Sequence, residues 1–249
     1  ATAVKLTEQG FKTTFRVVAR DDKQGAALAS FAAGPLKAKS VAVIDDRTPY
    51  GQGLADEFEK FAKEKGMKVV GREFTNDKAS DFNAILTKVR SMKPDVVMYG
   101  GMDATAGPMA KQMKQLGMKS TLLAGDGVCS PEFIKLAGNA ADIMKCSNAG
   151  EAVEKLAKGA DFVAKYKKRF NTDVQVYSPY SYDAVFVIVE AMKKAGKADR
   201  AAITTALRDT NYDGLTGKIA FDAKGDIKDG AISMFEVKDG KLAYVSTVR

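Results

Sequence analysis

The 249-residue sequence contains no histidine. That removes the one side chain whose ordinary pKa makes it a proton carrier near neutral pH. Serine–histidine and cysteine–histidine catalysis go with it, as does the commonest metal ligand. A GxSxG nucleophile elbow and a GxxxxGK[ST] phosphate loop are both missing. No apolar run approaches the roughly 18 residues that a membrane span needs. No secretory leader is visible either, although a mature exported protein would have lost one. Cysteine is scarce, with Cys129 and Cys146 alone. A bond between them would close a loop of 17 residues, worth roughly 3 kcal/mol in the chain-entropy view. Two separate buried thiols account for the spacing equally well.

What is present is an ordinary globular composition, 45% hydrophobic and 28% charged, with a net charge of +8. That excess invites a nucleic-acid reading. The lysines, however, are spread over helix faces beside acidic residues, as in residues 57–64. An arginine-rich arm, a zinc spacing and an aromatic-basic motif are all missing. The balance reads as a solvated basic surface.

The chain is organised around residues 39–66. Residues 40–44 form a β-branched run suited to a strand buried on both faces. Turn formers and a proline follow over residues 45–50. From Gly51 the pattern is helical, with Leu54, Phe58, Phe61 and Ala62 on one face and Gly66 as a stop. Similar units repeat: a strand over 68–74 and a helix over 81–92, a strand over 95–99 and a helix over 107–116. A strand over 121–124 then precedes a helix opening at Ser130-Pro131, where serine suits the N-cap and proline the first helical position. Strand centres near Val43, Val69, Val97 and Leu123 lie 26 to 28 residues apart, the length of a βα unit. An α/β fold with a parallel sheet and helices on both faces is the economical solution. Such sheets bind ligands at the carboxyl ends of their strands, here residues 45–50, 100–105 and 125–128.

Around this block the pattern is less regular. Residues 12–18 read as a strand and 24–33 as an alanine-rich helix. Residues 147–150 are a candidate linker. A long amphipathic helix is expected over 153–170, with Val153, Leu156, Ala160, Val163, Tyr166 and Phe170 on one face. Another is expected over 180–195, with Tyr182, Val185, Phe186, Val189 and Met192 inward, and a third over 198–209. Short β patterns close the chain at 217–221, 232–237 and 242–247, with an Asp-Gly hairpin signal at Asp239-Gly240. The three helices between 153 and 209 call for a sheet, and few strand candidates are left to build it.

Several residues stand out at the strand ends. Gly51-Gln52-Gly53 begins like a dinucleotide fingerprint, but Asp56 stands where glycine is needed. Asp45-Asp46 is either a phosphoacceptor-like pair or a turn before a helix, and the turn is favoured. Asp126, between two glycines, is either a carboxylate for a cationic group or a turn residue. Tyr50 offers a hydroxyl at the mouth of its loop, or a ring packed on the helix start. Met102, after Tyr99-Gly100-Gly101, is a pocket wall or core.

Together the segments TEQGFKTTFR, RDDKQGAALA, IDDRTPYGQGLADEF, DFNAILTKVRSMKPDVVMYGGMDATAGPMAKQMKQLG, GDGVCSPEF, YSPYSYDAV and FDAKGD resemble the branched-chain amino-acid-binding proteins, periplasmic substrate-binding components of ABC transporters. The resemblance runs in order through nearly the whole chain, and no single motif is diagnostic. It implies a type I periplasmic-binding-protein fold: two doubly wound, Rossmann-like lobes joined by three crossovers, with the ligand between them. Family members begin with a longer amino-terminal segment, so the first lobe is expected to be incomplete at its N-terminal side. The crossovers fall near Arg20, Ser147 and Ile227. That makes residues 1–20 and 148–227 the remnant of lobe 1, and residues 21–147 and 228–249 lobe 2.

The resemblance also implies site residues. Thr2, with Ala1 beside it, falls where lobe 1 holds the ligand carboxylate. Asp126 matches the acidic residue that holds the ammonium, a glutamate in many members. Tyr50 matches a tyrosine that closes on the ligand, and Tyr177 an aromatic of the side-chain pocket. Met102 departs from the family, whose best-known members carry tyrosine there, and this bears on side-chain specificity. Export also favours a disulfide between Cys129 and Cys146. The implied function is capture of a leucine-, isoleucine- or valine-like amino acid in the periplasm and delivery to a membrane permease. The expected protein is a monomer with no catalysis, cofactor, metal or nucleic acid. The alternative is a ligand-sensing receptor or regulator domain of the same fold.

Overall fold

The apolar run at residue 40 forms a strand, and the alternation expected behind it is present. In the computed structural model, which describes residues 1–248, the chain begins with α1 (Lys5–Glu8), α2 (Asp21–Ala33), β1 (Ser40–Asp45) and α3 (Pro49–Glu64). Next come β2 (Lys68–Phe74), α4 (Asn83–Ser91), β3 (Val96–Gly100), α5 (Asp103–Gln115) and β4 (Thr121–Ala124). After α6 (Pro131–Ala137) and a 3-10 turn, β5 (Met144–Asn148) leads to α7 (Gly159–Phe170), α8 (Ser178–Ala195) and α9 (Arg200–Arg208). The chain closes with β6 (Tyr212–Asp213), β7 (Lys218–Ile219), β8 (Ile232–Lys238) and β9 (Lys241–Val248).

These elements divide into two compact units. One holds residues 1–20 and 149–231, the other residues 21–148 and 232–248. The second unit is built on a seven-stranded sheet in the order β2-β1-β3-β4-β5-β8-β9. The first five strands are parallel, and the β8–β9 hairpin adds two antiparallel strands at one edge. Every residue of β3, and Val41 to Asp45 of β1, is buried, as strands covered on both faces require. Right-handed crossovers explain the layers. The chain moves one way from β1 to β2 and the other way from β2 through β5. Hence α3, with α2 packed on it, covers one face, while α4, α5 and α6 pack in series on the other. The direction reverses between β1 and β3, which is where a sheet of this kind opens a crevice.

Local chemistry sets the helix starts. Thr48 caps α3, its hydroxyl accepting from the Gly51 N–H at 2.9 Å, with Pro49 in the first turn. Ser130 caps α6 in the same way, accepting from Phe133 at 3.1 Å, with Pro131 behind it. A side chain at Gly51 would collide with the Asp46 carboxylate and the Gly100 carbonyl, so the α3 start sits directly against the end of β3.

The first unit differs from expectation in several places. Residues 12–18 form no strand. They are tied down by a backbone bond, Arg16 N–H to the Gly225 carbonyl at 2.9 Å, and by Phe15 packed against the Phe221 ring, the planes inclined at 59°. The expected helix over 153–170 is broken: a 3-10 turn over Val153–Lys155 ends at Leu156, whose backbone is extended, and α7 starts only at Gly159. The β pattern at 217–221 contracts to the two residues of β7, paired with β6. In α8 the inward stripe is Pro179, Tyr180, Asp183, Val187 and Ala191, whereas Tyr182, Val185, Phe186, Val189 and Met192 are exposed. The reason is the core of this unit, where Val187 packs with Ile219, Phe221 and their neighbours Phe15, Leu207 and Ile227. Asp183 is drawn inward as well, its carboxylate accepting from the N–H groups of Leu215 and Thr216 at 2.8 and 2.7 Å.

Candidate functional site

Asp45 of β1 pairs with Gly100 of β3, Tyr99 with Ala124 of β4, and Ala124 with Cys146 of β5. The loops after β1, β3 and β4 therefore leave the sheet at one level, beside the reversal in strand order. Each carries one of the expected residues: Tyr50 in the first turn of α3, Met102 as the N-cap residue of α5, and Asp126 after β4.

The structure brings these three together. The Tyr50 hydroxyl donates to Asp126 Oδ1 at 2.9 Å and accepts from the Gly127 N–H at 3.0 Å. A side chain at Gly127 would lie 2.8 Å from the Met102 sulfur, 2.9 Å from the Tyr50 ring and 2.8 Å from the Gly101 carbonyl. Glycine is required there because three loops converge on its α-carbon. Asp126 is 5% exposed and Met102 43% exposed. The carboxylate is thus sunk in the cluster while the thioether stands at its edge.

A glutamine that no sequence motif marks completes the cluster. Gln24 of α2, fully buried, donates to Asp126 Oδ1 at 2.9 Å and accepts from the Asp126 N–H at 3.0 Å. The available signal is one amide on a buried helix face shared with Asp21, Gly25, Leu28, Phe31 and Ala32.

The loop holding Asp126 is anchored on both sides. Its Gly127 carbonyl accepts from the Asp103 N–H at 2.9 Å, and the Ser130 hydroxyl donates to the Asp103 carboxylate at 2.6 Å. Cys129 and Cys146 are joined in a disulfide with a Cα separation of 5.5 Å, linking this loop to β5. The neighbouring polar groups have structural work. Asp45 is paired with Arg72 at 2.5 Å, and Asp46 accepts from the Thr48 N–H and hydroxyl at 2.9 and 2.6 Å. Behind them the buried Tyr99 hydroxyl shares a 2.7 Å bond with Thr105, and burial pushes its pKa far up, so it stays protonated.

Ala1, Thr2 and Tyr177 belong to the other unit. Ala1 is exposed and its carbonyl accepts from Arg16 at 3.2 Å; Thr2 is buried; Tyr177 stands at the N-cap of α8, 42% exposed. A cavity of about 490 Å³ in this unit is lined by Tyr180, Lys158, Thr216 and Gly230 among others, and by none of those three residues. Among the described residues, no group of three or more histidine, cysteine, aspartate or glutamate side chains is placed to hold a metal ion. No described helix is long and apolar enough to cross a membrane.

Comparison with known proteins matches residues 2–241 to the family described as periplasmic binding protein. A Leu/Ile/Val-binding protein homolog of Brucella abortus is 34% identical over 250 aligned positions, covering 98% of this chain and 67% of the relative. A leucine-, isoleucine-, valine-, threonine- and alanine-binding protein of Pseudomonas aeruginosa is 32% identical, covering 95% of this chain and 63% of the relative. The chain thus spans about two thirds of the length of these curated relatives. Among solved structures, a leucine binding protein from Thermotoga maritima superposes with a TM-score of 0.91 at 31% identity, covering 96% of this chain and 69% of the other.

Proposed function

Since this chain belongs to the periplasmic binding protein family, we propose that it serves as the solute-binding component of an ABC transporter, taking up a leucine-, isoleucine- or valine-like amino acid. The observation that carries this reading is the Asp126 carboxylate, buried yet oriented by Tyr50 and Gln24 at the carboxyl end of the sheet. A carboxylate in that setting suits a compact cation such as the ammonium of an amino acid. The names of the Brucella and Pseudomonas relatives support the choice of an aliphatic ligand.

In this reading Asp126 receives the ammonium and Tyr50 closes beside it. Met102 faces the ligand side chain, as does Tyr177, while Ala1 and Thr2 take the ligand carboxylate. Binding proceeds without bond making or breaking. The ligand favours whichever protein conformation it contacts best, by the difference of its affinities for the two. That conformation is read by the membrane permease, in the periplasm, with the binding protein acting as a monomer.

The test is calorimetric titration against the twenty amino acids, with Asp126→Asn as control. A saturable signal with leucine, isoleucine or valine is expected, and the bound amino acid should be recovered unchanged. Loss of the charge leaves the ammonium unpaired in the site, at about 2–5 kcal/mol. Asp126→Asn should therefore bind at least tenfold more weakly. An unchanged dissociation constant sinks the assignment of Asp126.

A further inference from the structure

We infer that Gln24 is the positioning residue of the ammonium-binding carboxylate, a role that rests on the amino-acid reading above. Gln24 lies on α2 with no exposed surface, next to Gly25, Ala27 and Leu28. Burying a primary amide is unfavourable unless its donors and acceptors are all matched. Here they are. Nε2 donates to Asp126 Oδ1 and to Asp21 Oδ1, both at 2.9 Å. Oε1 accepts from the Asp126 N–H at 3.0 Å and from the Ser147 hydroxyl at 2.7 Å. Two N–H donors and two lone pairs are the full capacity of the group. The assignment of oxygen and nitrogen is also forced, because the reverse orientation would set a carbonyl oxygen against two carboxylates.

Two of the four bonds go to one residue. Gln24 grips Asp126 by its backbone N–H and by its side chain at once, fixing both the loop and the rotation of the carboxyl group. Tyr50 adds a second donor to the same oxygen, Oδ1. With Oδ1 held from two sides, the direction of Oδ2 is set before any ligand arrives. A carboxylate already oriented loses little rotamer freedom on capture, which favours affinity. Ser147 draws β5 into the same arrangement, so Gln24 also joins α2 to the sheet. A purely structural role would consist of that junction alone, and the two roles can be separated.

The experiment is a double-mutant cycle read by leucine titration calorimetry, with thermal melting to verify folding. Gln24→Met keeps the volume and removes all four bonds. It should weaken leucine binding at least tenfold in the otherwise unsubstituted protein. In an Asp126→Asn background it should weaken binding by no more than twofold, because its effect passes through the missing charge. Equal losses in both backgrounds would make Gln24 a structural junction and overturn the proposal, as would a Gln24→Met protein with unchanged affinity. Should Gln24→Met fail to fold, Gln24→Glu is read in the same cycle. It keeps the acceptor for Ser147 and the Asp126 N–H but replaces the donor with a like charge. Failure of the unsubstituted protein to bind any amino acid overturns the amino-acid reading, and this role with it.

Discussion

Arg16 and Asp226 form an ion pair in which Nε lies 2.5 Å from Oδ1, with both side chains at most 4% exposed. The pair is 210 residues apart in sequence and holds the first residues of the chain against its late loop. Thr7 donates to both Asp226 oxygens at 3.0 and 2.9 Å, and Arg20 pairs with Oδ2 at 2.9 Å. Arg16 in turn donates to the Ala1 and Ala3 carbonyls and to the Thr7 hydroxyl. The position of Thr2 therefore depends on this cluster.

Removing one partner should be severe. Asp226→Ala leaves the Arg16 guanidinium buried without its counter-charge, at a cost of about 3–5 kcal/mol. Urea unfolding followed by circular dichroism should show the loss. A change below about 1 kcal/mol, the level of an exposed pair, would mean that Arg16 finds solvent or another partner.

The same cluster predicts acid sensitivity. Burial pushes the Asp226 pKa up, but the hydrogen bonds from Arg20 and Thr7 and the charge of Arg16 outweigh it, and the net shift is below the ordinary value of 3.8. A carboxylate with a depressed folded-state pKa contributes stability that is fully present above its unfolded value. The contribution is lost as pH falls below 3.8 through the folded value. Stability measured from pH 5 downward should fall more steeply in the native protein than in Asp226→Ala. Parallel curves would remove Asp226 from the account.

Reduction of the Cys129–Cys146 bond should lower stability by roughly 3 kcal/mol, as expected for a closed loop of this size. Because Cys129 lies three residues after Asp126, ligand affinity should fall as well. Titration with and without reductant, with the melting temperature recorded, checks both. Unchanged affinity would show that the Asp103 and Gln24 contacts hold the loop unaided.

Gly127→Ala should impair binding while leaving the sheet intact. The added methyl would press on the Gly101 carbonyl, the Met102 sulfur and the Tyr50 ring together. Overpacking of this kind costs about 1–3 kcal/mol, here taken from the geometry of Tyr50 beside Asp126. A roughly tenfold or greater loss of amino-acid affinity is expected in calorimetry. Wild-type affinity would mean that the three loops yield together.

The sheet of the second unit was readable in advance because its signals are local. A β-branched run, Thr48-Pro49 and Ser130-Pro131 each act within a few residues, so β1, α3 and α6 follow from short-range chemistry. The placing of Tyr50, Met102 and Asp126 at strand ends follows from counting βα units. Helix α8 was harder. It carries two apolar stripes, one through Tyr180 and Val187 and one through Tyr182, Val185 and Val189, and periodicity alone does not rank them. The packing of Val187 on Ile219 and Phe221 decided it.

What the sequence determined by itself was the order of elements, the parallel character of the sheet and the absence of histidine chemistry. All of these rest on composition or on contacts near in the chain. The tertiary structure alone decided which polar groups meet. Gln24 reaches Asp126 and Ser147 across 102 and 123 residues, and Thr7 reaches Asp226 across 219. The cysteine spacing is compatible with a bond or with two thiols; the pairing of β4 with β5 brings the loop that carries Cys129 beside Cys146. Hydrogen bonds and ion pairs are short-ranged in space but indifferent to sequence distance, so only the folded chain brings such partners together.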